Sequence, residues 1–225
     1  MDEKLKQLYA ATLKLRRSAE RRPLRGKPSS SKALPEACEV GCTIDLRAHD
    51  IVVVSHKRAG FGKAIQLGQA QDDGRLLLAT GVAFGSKAQG QNAVVVVFAQ
   101  RGIVAARNSM RFAFEQKLPI IYIETAARST GASHVRNGKY RHQLPAIPVD
   151  QTDVIAIYRV SSEAIDKARR GVGPTLIQCV PPSRDSARGK NRTDCLQSLE
   201  WHLRRKKLWS EEFKRQIEDE LERET

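Results

Sequence analysis

The spacing of apolar and polar residues predicts a chain in which strands and helices follow one another. Four short apolar runs are typical of buried strands, and they cover residues 50–54, 93–98, 118–124 and 175–180. The second run contains four consecutive valines, which indicates a strand buried on both faces. Helical spacing extends over residues 3–22, 35–47, 76–89, 103–117, 153–170, 194–206 and 210–224. This alternation favours an α/β fold with a mostly parallel sheet between two layers of helices.

The remaining segments are predicted to be irregular. Residues 56–67 read as a glycine-broken helical or turn-rich segment, 69–74 as a surface loop, and 126–148 as a long basic loop. A linker rich in proline, glycine and serine at 23–34 suggests a division into an N-terminal helix with its linker (1–34), an α/β core (35–192) and C-terminal helices (193–225). We expect the three parts to form one domain.

The composition narrows the class of protein. Apolar residues make up 40% of the 225 residues and charged residues 28%, which is typical of a globular chain and excludes a disordered one. Apolar runs stay below the roughly 18 residues that a membrane-spanning helix needs. The first residues lack the apolar stretch of a signal peptide, and the four scattered cysteines favour free, buried thiols. These features predict a cytoplasmic protein.

The net charge of +14 and the pI near 10.0 predict a surface that attracts nucleic acid, phosphates or acidic partners. Aromatic residues are only 5% of the chain, and a nucleic-acid-binding motif is not recognisable. A solvated basic surface is therefore favoured, and a basic module that binds nucleic acid or an acidic protein stays open as an alternative.

Three motifs carry a family resemblance. Residues 81–98 (GVAFGSKAQGQNAVVVVF), 116–124 (QKLPIIYIE) and 168–177 (ARRGVGPTLI) resemble the alpha subunit of the first, decarboxylating component of 2-oxo acid dehydrogenases of the pyruvate and branched-chain type. The resemblance implies a three-layer α/β sandwich of the thiamine-diphosphate-binding fold. It implies oxidative decarboxylation of a 2-oxo acid, acting on an aldehyde or oxo group with a disulfide as acceptor. It also implies thiamine diphosphate and magnesium as cofactors, with a beta-type subunit or a second copy as partner.

The cofactor positions depart from the family pattern. Relatives bind magnesium through the Asp of a GDG motif, the second Asn of an ENN motif, and a backbone carbonyl two residues later. The matching positions here are Gln100, Ala126 and Arg128, whereas Glu124 is retained. A hard dication requires several oxygen ligands, and neither Gln nor Ala supplies an anionic oxygen. The chain is also shortened before Gly81. These departures predict a catalytically degenerate alpha-like subunit with a structural or regulatory role.

A metal-free mode of cofactor binding remains as an alternative. Arg101 and Arg128 suit phosphate oxygens because a guanidinium pairs well with them. His56 matches a position near the cofactor diphosphate in relatives, and Arg58 belongs to the same anion-friendly turn. His56 is the one weak catalytic candidate. The candidates for cofactor contact are His56, Arg58, Gln100, Arg101, Glu124 and Arg128.

Overall fold

The computed structural model describes residues 2–20, 35–54, 64–68, 72–100, 106–125, 146–181 and 194–223. Its helices are α1 (Asp2–Glu20), α2 (Glu36–Thr43), α3 (Asp72–Ala88), α4 (Ala106–Glu115), α5 (Val154–Arg169), α6 (Cys195–Arg205) and α7 (Glu211–Arg223). Its strands are β1 (Ile51–Val54), β2 (Ile65–Gly68), β3 (Val95–Gln100), β4 (Ile120–Thr125), β5 (Ala146–Asp150) and β6 (Thr175–Val180). The described helices include none long and apolar enough to cross a membrane.

The six strands form one sheet in the order β2-β1-β3-β4-β6-β5, and every pairing in the described sheet is parallel. One face packs against α3 and α4, where Leu76 and Ala113 meet Val95 and Tyr122. The other face packs against α1, α2, α5 and α6, which share a second apolar core with Val96 and the same face of β4 and β6. The predicted three-layer α/β class with a parallel sheet is confirmed.

Several local predictions are also confirmed. Strand β6 has the predicted bounds. Asp153 caps α5, because its carboxylate accepts hydrogen bonds from the amides of Ile155 and Ala156 at 3.0 and 2.9 Å. The Ser210 hydroxyl accepts a bond from the amide of Phe213 at 3.0 Å and caps α7. All four cysteines are buried and free. The division into three parts stays a prediction.

Four boundary predictions are wrong by more than the one or two residues by which other described element ends differ. Residues 65–67 of the supposed helical or turn-rich segment, together with Gly68, form the edge strand β2, and 146–148 of the supposed loop belong to the edge strand β5. Edge strands are partly solvated, so they lack the continuous apolar run that marks β3. Helix α3 begins at Asp72, inside the supposed loop 69–74. Helix α2 ends at Thr43 instead of 47, and the Arg47 amide bonds to Asp50 at 2.7 Å outside the helix. Pro35 precedes the helix as its N-cap residue.

A buried carboxylate organises the amino end of the sheet. Asp50 has no exposed surface, and it accepts hydrogen bonds from the amides of Val94 at 2.8 Å and Arg47 at 2.7 Å. Arg169, in the last turn of α5, pairs with the same carboxylate at 2.5 Å. These contacts hold β1, β3 and α5 together through charge-assisted bonds.

Candidate functional site

The candidate site lies where β3 and β4 end. In open parallel sheets, ligands bind at the carboxyl ends of the strands. The register pairs Ala99 with Glu124, and Gln100 with Thr125, so the two strands end side by side. On the other side of β4, Glu124 is paired with Gln178 of β6. The fold therefore brings Gln100, Glu124 and Gln178 to one edge of the sheet.

Glu124 is a buried carboxylate with a neutral partner. Its side chain lies on the same face of the sheet as Tyr122, towards the layer of α3 and α4, because alternate residues of a strand share a face. Only 9% of the residue is exposed, and its Oε2 accepts a hydrogen bond from the Gln178 amide at 2.7 Å. Gln178 thus fixes the orientation of this carboxyl group through an uncharged donor.

Two further described hydrogen bonds near the ends of β3 and β4 involve uncharged groups. The Thr125 hydroxyl donates a long hydrogen bond of 3.4 Å to the Ala99 carbonyl, which joins the ends of β3 and β4. Tyr122, one step deeper than Glu124 on the same face, has its hydroxyl 3.2 Å from the hydroxyl of Thr80. Burial raises the pKa of Tyr122 to about 12, so this phenol is protonated at neutral pH. The described part of the site therefore combines one carboxylate with uncharged hydroxyl and amide groups.

The described residues alone do not supply the oxygen ligands that magnesium bound to a diphosphate requires. Mg²⁺ requires near-octahedral oxygen coordination and usually takes one or two carboxylates in addition to phosphate oxygens and water. Among the described residues, no three His, Cys, Asp or Glu side chains are grouped so that they could hold a metal ion. The one carboxylate of the described site is Glu124, and its Oε2 is already hydrogen-bonded to Gln178.

The structure places two of the predicted site residues and leaves the others outside its description. Gln100 and Glu124 lie at neighbouring strand ends, as the parallel arrangement implied, and their role in cofactor contact stays a prediction. His56, Arg58, Arg101, Ala126 and Arg128 lie outside the described residues. Gln178 was missed by the sequence analysis. The sequence feature that could have identified it is a polar residue near the end of the otherwise apolar strand 175–180.

Comparison with known proteins agrees with the motifs. The sequence model of the family described as "Dehydrogenase E1 component" matches residues 62–181, which is more than half of the chain and includes β2 to β6. The chain belongs to the dehydrogenase E1 component family. The matched range contains Gln100, Glu124 and Gln178, so the candidate site lies inside the part of the chain that defines this membership.

Curated E1 relatives match parts of the chain. A pyruvate dehydrogenase E1 component subunit alpha of Staphylococcus aureus (strain Mu50) is 31% identical over 112 residues, which cover 44% of this chain and 30% of the relative. The chloroplastic subunit alpha-3 of Oryza sativa subsp. japonica is 39% identical over 72 residues, covering 28% and 17%. A subunit alpha of Staphylococcus epidermidis is 26% identical over 165 residues, covering 61% and 45%. The matches thus span less than half the length of these relatives.

Two solved structures are similar at lower identity. One is described as a thiamin diphosphate-dependent enzyme from Mycobacterium smegmatis, with a TM-score of 0.46, 15% identity, and coverage of 64% of this chain and 31% of the other. The second is benzoylformate decarboxylase from Polynucleobacter necessarius, with a TM-score of 0.47, 14% identity, and coverage of 72% and 36%. The assignment to the E1 family rests on the sequence match and not on these overlaps.

Proposed function

We propose that this chain is an alpha-like member of the E1 family that has lost the usual binding of magnesium thiamine diphosphate and serves a structural or regulatory role. The observation that carries the proposal is the register at the carboxyl edge. It sets Gln100 beside Thr125 at the end of the two strands that, by the resemblance, lead into the metal-binding motifs. An uncharged amide there replaces the carboxylate that a hard dication prefers.

The chemistry of the family explains why this loss matters. Oxidative decarboxylation of a 2-oxo acid, which the resemblance implies, depends on thiamine diphosphate, because the cofactor supplies the carbanion chemistry. The protein contributes binding and orientation. A chain without a metal–diphosphate site retains a framework and surfaces but not the reaction.

The relatives also suggest the setting in which such a chain acts. These relatives are named as alpha subunits of a pyruvate dehydrogenase component. We propose that this chain likewise works in a larger assembly in the cytoplasm, with a second copy of itself or a beta-type subunit.

Titration calorimetry with thiamine diphosphate, in the presence and absence of Mg²⁺, tests the loss of the cofactor. We expect no saturable heat and no rise in melting temperature in either condition. Saturable binding that requires Mg²⁺ would overturn the proposal. Saturable binding without Mg²⁺ would also overturn it and would support the metal-free mode with His56, Arg101 and Arg128.

A gain-of-binding variant connects the result to individual positions. Gln100→Asp combined with Ala126→Asn restores the residue types that relatives use at the two positions. We expect this double variant to acquire Mg²⁺-dependent heat with thiamine diphosphate. The control Gln197→Asp makes the same change of charge at an exposed position of α6 and should bind nothing.

A further inference from the structure

The outer side of α6 presents a tryptophan to water. Gln197, Trp201 and Arg205 are spaced four residues apart, so their side chains form one row along the helix, which we call the α6 row. Trp201 is 52% exposed, although tryptophan is usually well buried. The Arg205 guanidinium lies 5.4 Å from the centre of the indole ring, and the row contains no acidic side chain. An exposed aromatic ring beside a cation is the combination with which proteins stack nucleic-acid bases and hold the adjacent phosphates.

The four basic residues at the end of α6 differ in their partners. Arg204 and Lys206 form ion pairs with carboxylates at 2.7 and 2.8 Å. Arg205 and Lys207 are exposed, and neither has a carboxylate within ion-pair distance among the described residues. Arg204 and Lys206 also lie where positive charge complements the negative end of the helix dipole. Two positive charges at this end of α6 therefore remain for an anionic partner.

We propose that this side of α6 binds single-stranded nucleic acid, with a base stacked on Trp201 and phosphates held by Arg205 and Lys207. Every base has a flat π face that can stack on an indole, and phosphate oxygens accept charge-assisted hydrogen bonds from guanidinium and ammonium groups. The bases of a duplex are already stacked on one another, so a single strand suits an isolated tryptophan better. Gln197, next in the α6 row, supplies amide donors and an acceptor for base edges.

The charge of the whole chain favours the same kind of partner. A net charge of +14 attracts a polyanion over a distance and raises the rate at which it associates. An acidic protein segment would be attracted in the same way, but its carboxylates offer no flat ring to Trp201. The exposed tryptophan is therefore the observation that favours nucleic acid over an acidic protein.

Fluorescence titration with a thymine oligonucleotide of about 15 nucleotides, several times the length that one small binding site covers, tests the proposal. The outcome is independent of whether the chain binds thiamine diphosphate. The chain has two tryptophans, so Trp209→Phe leaves Trp201 as the one emitter. We expect saturable quenching of its emission, and Trp201→Ala should weaken binding of a labelled oligonucleotide about 10-fold or more. Unchanged emission of Trp201, or unchanged affinity in Trp201→Ala, would overturn the proposal.

Lys207 allows binding to be separated from stability. Its φ of 57° lies in the left-handed region, where glycine is less strained, so Lys207→Gly should raise the melting temperature. The same variant should weaken oligonucleotide binding and reduce the slope of log affinity against log salt concentration by about 0.7, the value for one phosphate contact to a single strand. Lys117→Gly is the matched control, because Lys117 has a φ of 48° and follows α4 on the other face of the sheet. It should raise the melting temperature and leave binding unchanged, whereas equal losses of affinity in the two variants would contradict a site on α6.

Two competitors test the kind of partner. A duplex of the same length and polyglutamate are added to the complex of the chain with the thymine oligonucleotide at about 0.15 M salt, where purely electrostatic binding is weak. We expect both to displace the single strand only at much higher concentration and neither to quench Trp201 when added alone. Displacement by the duplex at equal concentration would overturn the stacking of a free base. Displacement by polyglutamate at equal concentration would overturn the assignment to nucleic acid and identify an acidic protein segment as the partner.

Discussion

The two ends of the sheet each contain a buried carboxylate, and the partners of these carboxylates differ. At the amino end, Asp50 meets the Arg169 guanidinium and two backbone amides. At the carboxyl end, Glu124 meets the neutral amide of Gln178. An ion pair with hydrogen bonds joins three elements at the amino end, whereas the hydrogen bond between Glu124 and an uncharged amide joins the neighbouring strands β4 and β6. We expect the loss of the first carboxylate to destabilise the fold more, because it would leave a largely buried guanidinium without its partner.

The largest expected effect is at the amino end. Asp50→Ala leaves Arg169 and two amides without their acceptor, and we expect the free energy of unfolding to fall by about 3–5 kcal/mol. Urea unfolding followed by circular dichroism measures the loss. Asp45→Ala is the matched control, since its pair with Lys4 is partly solvated and should be worth about 1 kcal/mol or less. Similar losses of unfolding free energy in the two variants would show that the Asp50 contacts stabilise the fold no more than an ion pair at the surface.

The packing of α2 on α5 gives the second prediction. A Cβ atom at Gly41 would lie 2.8 Å from Ile157 Cγ2 and 3.2 Å from the Tyr158 amide nitrogen. Gly41→Ala should therefore lower the free energy of unfolding by about 1–3 kcal/mol through overpacking. Gly85→Ala, in open space on α3, should instead raise the stability of the monomer by about 0.5–1 kcal/mol. The same sign in both variants would contradict the assigned packing.

The third prediction concerns pH and the contacts of α1. Arg16 pairs with Asp194 at 2.8 Å and with Glu36 at 2.6 Å. Burial acts to raise the pKa of the Asp194 carboxyl, but the hydrogen bond from Arg16 and that from the Leu196 amide outweigh it and hold the pKa below its ordinary value of 3.8. Because the pKa of Asp194 is lower in the folded state, the ionised carboxylate stabilises the fold at pH values above its ordinary pKa. This contribution to the free energy of unfolding disappears as the pH falls through the lower, folded-state pKa.

Arg16→Met should therefore cost about 1 kcal/mol of unfolding free energy at neutral pH and less at a pH well below 3.8. Urea unfolding of both proteins as a function of pH measures the difference. A difference that is constant over the whole pH range would show that the loss comes from packing of the arginine stem and not from its charge.

The smallest expected effect is at the carboxyl end itself. Glu124→Gln keeps an acceptor oxygen for the Gln178 amide and removes a charge that has no cation among its described contacts. We expect the free energy of unfolding to change by less than about 1 kcal/mol. A loss as large as that of Asp50→Ala would show that Glu124 contacts a cation and would remove the contrast between the two ends.

The centre of the fold was predictable and its edges were not. Strand β3 is recognisable because both of its faces are buried, so its valines form a continuous run. The edge strands β2 and β5 were missed because Ile65 is half exposed and Pro148, tolerated at an edge, argues against a strand. Short, partly solvated segments give too little pattern for assignment.

The candidate site was predictable to a similar extent. Parallel strands end at one edge, so the proximity of Gln100 and Glu124 followed from the sequence pattern. The contact between Glu124 and Gln178 was not predictable from the sequence. It depends on β6 lying between β4 and β5, and only the folded sheet defines this order. The exposure of Leu77 and Phe84 on α3 also required the fold, since a helical pattern does not tell which side faces the sheet.

We propose that the carboxyl edge lacks a site for a hard dication, and direct metal binding tests this proposal. Mn²⁺ accepts the same oxygen ligands as Mg²⁺ and has a strong electron paramagnetic resonance signal when it is free in solution. With thiamine diphosphate present, a solution that contains the wild-type chain should give the same free Mn²⁺ signal as a matched solution without protein. The Gln100→Asp, Ala126→Asn double variant should reduce it. A saturable loss of free signal with the wild-type chain, at one ion per chain, would contradict the claim.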